Sequence, residues 1–275
     1  MSSNDLTILP IQPPESEKKA RKQLHPNLPD IYKGQLIVCA APIRSGKSVL
    51  WNNFLHNPNF YEECFQDVHV ISNTIHNDAT SRFTAAKYPS TCHEMYSDDI
   101  IHNIIKDQMR KKKEVEEGGA GDTSFCLILD DICGELGKGR LNAKAVHFAT
   151  RFRHSVHKGD PVMMFYSNQK YNDISTIIRN NATGMFLSGN IKSQKELQTI
   201  CDDIGDTFGG QKAFYSYIER ARQVPYSWLY FRLDSSPPEV FLNFKEKLFS
   251  GSVSNGTVKE DAVPKEEEKP SEKTI

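Results

Sequence analysis

"CAAPIRSGKSVL", residues 39–50, reads as the end of an apolar strand, a short loop and the first turn of a helix. It follows the spacing of a phosphate-binding loop, G-x-x-x-x-G-K-[ST]. Gly46, Lys47 and Ser48 are in place, and Ala41 stands where the first glycine belongs. A strand, a tight loop and a helix in this order aim backbone N–H groups and the positive end of a helix at one point, which is how a chain holds polyphosphate. Ala41, Pro42, Ile43, Arg44, Ser45, Gly46, Lys47, Ser48 and Val49 are therefore the expected nucleotide-binding stretch. Lys47 is the expected point charge for the outer phosphates, and the Ser48 hydroxyl an expected ligand of Mg²⁺. Alanine at 41 gives up glycine's conformational freedom, which the loop tolerates as long as φ there stays negative.

Working outward, short apolar runs bounded by polar or turn residues recur: "QLIVCA", "DVHVIS", "FCLILDD", "PVMMFYSN", "ATGMFLSG" and, later, "WLYFRL". Helix-length segments separate several of them. This predicts an α/β architecture, a P-loop NTPase fold with a mostly parallel central sheet flanked by helices. One crossover helix is expected from Leu141 to Lys158, its stripe formed by Leu141, Ala145, Phe148, Phe152 and Val156. Arg151 and Arg153 fall beside that stripe, free to reach outward.

"FCLILDD", residues 125–131, ends a buried strand in two aspartates at the sheet edge where ligands of open α/β folds bind. Asp130 is the expected Mg²⁺ ligand, and Asp131 the group that orients or deprotonates an attacking water, with Glu135 a second candidate. The next strand runs into "SNQKYNDIS", where Gln169 is placed to sense a terminal phosphate.

The remaining composition narrows the function classes. In 275 residues, 38% are hydrophobic and 25% charged, with net charge −1, so any nucleic-acid binding must come from a local basic surface. No apolar run approaches the roughly 20 residues of a spanning helix, and no secretory signal opens the chain. Residues 1–28 read as a mobile arm, 29–249 as the folded ATPase domain and 250–275 as a disordered charged tail. The six cysteines, Cys39, Cys64, Cys92, Cys126, Cys133 and Cys201, lack metal spacing and read as free thiols. The basic run at 106–113 and the glycine-rich stretch after it read as solvated surface rather than a DNA-contacting element.

The stretches "APIRSGKS", "VISNTIHNDAT", "CLILDDICGEL", "RFRHS", "SNQKYNDIS" and "IRNNAT", in this order, resemble the genome-packaging ATPases of large nucleocytoplasmic DNA viruses, the poxvirus-type branch of the FtsK/HerA superfamily. The resemblance spans about residues 35–197. It implies an ATP-driven translocase that assembles as a homo-oligomeric, hexameric ring and threads double-stranded DNA into viral capsids. It also implies capsid or membrane-associated portal proteins as partners, and a location at assembly sites in the host cytoplasm or in the virion. By that likeness Lys47, Ser48, Asp130, Asp131 and Gln169 keep the roles above. A neighbour's arginine completes each site, with Arg151 or Arg153 as the finger and Arg179 in reserve. Two other classes fit a P-loop of this length: a kinase of a small molecule or nucleoside, and a nucleotide-dependent assembly protein that does no pumping.

Overall fold

The computed structural model describes residues 22–132 and 143–251. The apolar runs form strands with the expected limits: β1 Gln35–Ala40, β2 Asp67–Ser72, β4 Phe125–Asp130, β5 Val162–Asn168, β6 Gly184–Ser188 and β7 Trp228–Arg232. A two-residue strand β3 (Cys92–His93) and two strands near the end of the described chain, β8 (Glu239–Leu242) and β9 (Glu246–Ser250), join them in one nine-stranded sheet.

The strand order is β3-β2-β4-β5-β1-β6-β7-β8-β9, parallel as far as β6 and antiparallel beyond it. The run "WLYFRL" therefore begins an antiparallel meander rather than extending the parallel sheet. Arg232 and Lys247 both reach Glu239 and tie that meander together. Strand β5 lies between β1 and β4, so the loop after β5 emerges between the phosphate loop and the paired aspartates.

The helices are α1 Lys47–His56, α2 Arg82–Lys87, α3 Asp98–Glu116, α4 Lys144–Ala149, α5 Thr176–Asn181, α6 Gln194–Ile204 and α7 Gly210–Arg222. Alternate residues of β1 feed two cores. Leu36, Val38 and Ala40 face one, with α4, α6 and α7, while Ile37 and Cys39 face the other, against α1. A parallel strand covered on both faces needs apolar side chains at every position, which is why these runs do not alternate.

The single helix expected over Leu141–Lys158 is corrected. Leu141 lies outside the described residues. The segment holds the short α4, a break at Thr150–Arg151 and a 3-10 turn over Phe152–Ser155. Hydroxyls cause the break in part: Thr150 Oγ1 donates to the His147 carbonyl and Ser155 Oγ to that of Phe152, offering the backbone an alternative to helix. The stripe itself is kept, with Ala145, Phe148, Phe152 and Val156 all buried.

Packing also begins earlier than residue 29. Leu28 is in the core, and Asn27 Nδ2 donates to the Phe244 carbonyl across the fold at 2.7 Å. Among the described cysteines, Cys39, Cys64, Cys92, Cys126 and Cys201 are free thiols; Cys133 lies outside the described residues. Most of the basic side chains on α3 are neutralised locally: Arg110 pairs with Asp107 and Glu114, Lys111 with Asp67, Lys112 with Glu116 and Lys113 with Glu117. The helix presents mixed charge rather than a basic stripe.

Candidate nucleotide site

The phosphate loop leaves β1 with its first residue buried. Ala41 is fully covered and is absent from the residues of positive φ, so the alanine costs the loop nothing there. The left-handed conformation falls instead at Arg44 (φ 62°) and Gly46 (φ 87°). Gly46 then caps α1, whose first turn carries Lys47 and Ser48. The N–H groups of Ile43, Arg44 and Gly46 donate to no backbone carbonyl among the described residues. The leading N–H groups of α1 are likewise left without intrahelical partners.

Lys47 is 7% exposed, and its ammonium lies 3.2 Å from Asp131 Oδ2 while donating to the Ala41 carbonyl at 3.2 Å. Successive residues of a strand point to opposite faces, so two adjacent aspartates cannot both serve one site while the strand continues. The chain solves this by ending β4 at Asp130 and turning Asp131 into the left-handed region (φ 53°), which aspartate tolerates better than most side chains. The Asp131 N–H is held by the Ser167 carbonyl of β5, and Gln169 Nε2 approaches Asp131 Oδ2 at 3.4 Å. Lys47, Asp131 and Gln169 therefore meet, as their motifs require.

Asp130 is 2% exposed. It sits in register with Ser72 of β2 and Ser167 of β5, and both serine hydroxyls donate to its carboxylate. Burial raises its pKa above the usual carboxylate range and the charge of Asp131 adds to this, while the Ser167 hydrogen bond and Lys47 oppose it. A buried carboxylate whose anion is disfavoured suits a divalent cation, which would restore the missing charge. Ser72 was not singled out from the sequence; the signal was that the apolar runs of both β2 and β5 end in serine.

The surroundings also fit a nucleotide. Ser45 Oγ, Asp131 Oδ1 and Asn168 Nδ2 are buried without a hydrogen-bond partner. A Cβ built on Gly46 would meet nothing within 4 Å, so the space beside it is open. Buried polar atoms are rarely left unpaired, and these three belong to the phosphate loop and to the ends of β4 and β5, where a polar ligand would complete them. Within this set, the loop and Lys47 would hold phosphates, and Ser48 with Asp130 would hold Mg²⁺.

The arginines separate. Arg153 packs its stem over Gly34, where an added Cβ would come within 2.4 Å of Arg153 Cγ. Gly34 precedes β1, so Arg153 lies at the amino edge of the sheet, the length of β1 away from the phosphate loop, roughly 16 Å at 3.3 Å per residue. Arg151 is exposed at the start of the same 3-10 turn. Neither is brought to Lys47 of its own chain.

Arg179 is engaged elsewhere. It pairs with Asp203 of α6 at 2.6 Å and lies over the Tyr171 ring at 4.6 Å. Tyr171 in turn donates its hydroxyl to Asp203, and its N–H is held by Glu196 at the start of α6. These contacts bolt the Gln169 loop to α6. Glu135 lies outside the described residues.

No family model matches the chain, and no curated protein matches it. Solved structures do. The genome packaging NTPase B204 from Sulfolobus turreted icosahedral virus 2, in complex with AMP, matches with a TM-score of 0.52 at 16% identity, covering 75% of this chain and 96% of that one. Its AMPPCP complex gives a TM-score of 0.53 at 15% identity, covering 75% and 96%. The ATP-gammaS complex gives 0.50 at 18%, covering 75% and 95%. At such identities the likeness is one of fold: the chain has the α/β fold of a viral packaging NTPase, with its phosphate loop, paired aspartates and Gln169 at one sheet edge.

Proposed function

We propose that this chain binds ATP with Mg²⁺, hydrolyses it, and uses the hydrolysis to move double-stranded DNA during virus assembly. The observation that carries the reading is the meeting of Lys47, Asp131 and Gln169 beside buried Asp130, from three separate strand ends. Support comes from the fold shared with the packaging NTPase, whose solved complexes hold AMP, AMPPCP and ATP-gammaS.

In this reading the loop N–H groups and Lys47 bind and orient the phosphates. Ser48 and Asp130 would hold Mg²⁺, which would supply charge neutralisation for the phosphates. Asp131 is engaged by Lys47. A terminal phosphate competes for the ammonium, and the carboxylate it releases can accept a proton from a water that Gln169 helps orient. Tyr171, through Glu196 and Asp203, carries any movement of the Gln169 loop to α6.

The exposure of Arg151 and Arg153 at the opposite edge supports a role for them in a neighbouring copy rather than in their own site. This favours a head-to-tail ring, which we take as hexameric, working with capsid or portal proteins at assembly sites. DNA contact would be made to phosphates without reading bases. A triplex-displacement experiment tests the motor: ATP-dependent release of a third strand from linear duplex is expected. Release without ATP, or none in the presence of active hydrolysis, would contradict it. Phosphorylation of a soluble acceptor would instead identify a kinase.

A further inference from the structure

The phosphate loop carries a second cation whose backbone is strained. Arg44 sits in the left-handed region at φ 62°, where glycine would sit without cost and a long side chain does not. Such outliers persist where the surroundings fix them, and they cluster at ligand-binding positions. The side chain is exposed, three residues before Lys47, on the same sheet edge as Asp131 and Gln169.

Arg44 also differs in its partners from most of the described arginines. Arg110, Arg179, Arg220, Arg222 and Arg232 are each held by a carboxylate. No carboxylate among the described residues pairs with Arg44. Arg151 and Arg153 lie a strand length away and Arg82 donates to the His76 carbonyl, so among the described residues Arg44 is the guanidinium carried on the phosphate loop itself. A guanidinium recognises phosphate oxygens through paired N–H donors, and Arg44 stands at the crest of a loop built to wrap phosphates.

We propose that the Arg44 side chain contacts the terminal phosphate of the bound nucleotide in its own subunit. This goes beyond the general reading, in which the loop contributes only its backbone and Lys47, and it rests on that reading for the presence of a nucleotide. The contact makes affinity depend on the third phosphate. It adds a cation in cis beside any arginine supplied by a neighbour.

The test compares wild type with Arg44→Gly and Arg44→Lys in the full chain, measuring thermal unfolding and the binding of ATP-gammaS and ADP with Mg²⁺. Glycine suits the left-handed backbone, so Arg44→Gly is expected to melt at or above the wild-type temperature, which separates side-chain function from misfolding. Its affinity for ATP-gammaS is expected to fall by about tenfold or more, the scale of one charge-assisted contact, while ADP affinity changes by less than about threefold. Arg44→Lys should recover part of the loss. Equal ATP-gammaS affinity in Arg44→Gly and wild type overturns the proposal, and so does an equal loss for ADP. If wild type binds neither nucleotide, the nucleotide reading itself fails.

Discussion

The ammonium of Lys47 lies 3.2 Å from Asp131 Oδ2, and the same Lys47 donates to the carbonyl of Ala41. One cation thus joins the start of the phosphate loop to the end of β4.

Lys47→Ala is expected to abolish ATP turnover, a loss of at least about 10²-fold, because phosphate neutralisation and the release of Asp131 both depend on it. The fold should survive, since Asp131 is partly exposed and keeps its backbone bond to Ser167. A circular dichroism melt and a phosphate-release assay check the two halves of this expectation.

Asp130 gives a pH prediction. Its pKa is raised in the folded chain, so above the ordinary carboxylate range the folded state holds its proton longer than the unfolded state does. Stability is then lost as pH rises through the folded value. Asp130→Asn should remove this dependence and melt at or above wild type at neutral pH, yet lose Mg²⁺-dependent turnover. Melting curves with and without Mg²⁺, taken from the ordinary carboxylate range upward in pH, separate the effects.

His69 titrates in the opposite sense. Burial lowers its pKa to about 4, reinforced by His93 and Lys111 and opposed by Asp67, and its Nδ1 has no partner. Between that value and the ordinary 6.5 the unfolded chain binds the extra proton, so acidification destabilises the fold. From pH 7 to pH 5 this one group should cost on the order of 2 kcal/mol. Urea unfolding of His69→Gln should show that much less pH dependence.

The arginines can be sorted by mixing subunits. Arg151→Ala or Arg153→Ala, whichever removes a trans group, should regain turnover when mixed with inactive Lys47→Ala, because intact phosphate loops then meet intact arginines. Arg179→Ala should not be rescued in this way, since it acts within its own chain on Asp203 and Tyr171; instead its melting temperature should fall. Rescue of Arg179→Ala would show that its role lies in a neighbour's site.

Much of the fold was legible because a parallel sheet writes itself as continuous apolar runs, and six strands fell where those runs lie. β8 and β9 were harder to read. "EVFL" and "EKLFS" are short, and the latter is half exposed, so no strong pattern marks them. The break after α4 escaped because an apolar stripe fixes which residues are buried, not whether every turn between them is helical. In the site, residue types and spacing gave Lys47, Asp130, Asp131 and Gln169. What they could not give was backbone conformation: the left-handed turns at Arg44 and Asp131, and the serines that cradle Asp130, depend on strand register across β2, β4 and β5.

The most direct measurement is ATP turnover with and without long double-stranded DNA at low salt. The account predicts basal hydrolysis that rises severalfold with DNA, a rise that shrinks as salt screens phosphate contacts, and no turnover in Lys47→Ala. Active hydrolysis wholly indifferent to DNA at low salt would contradict it.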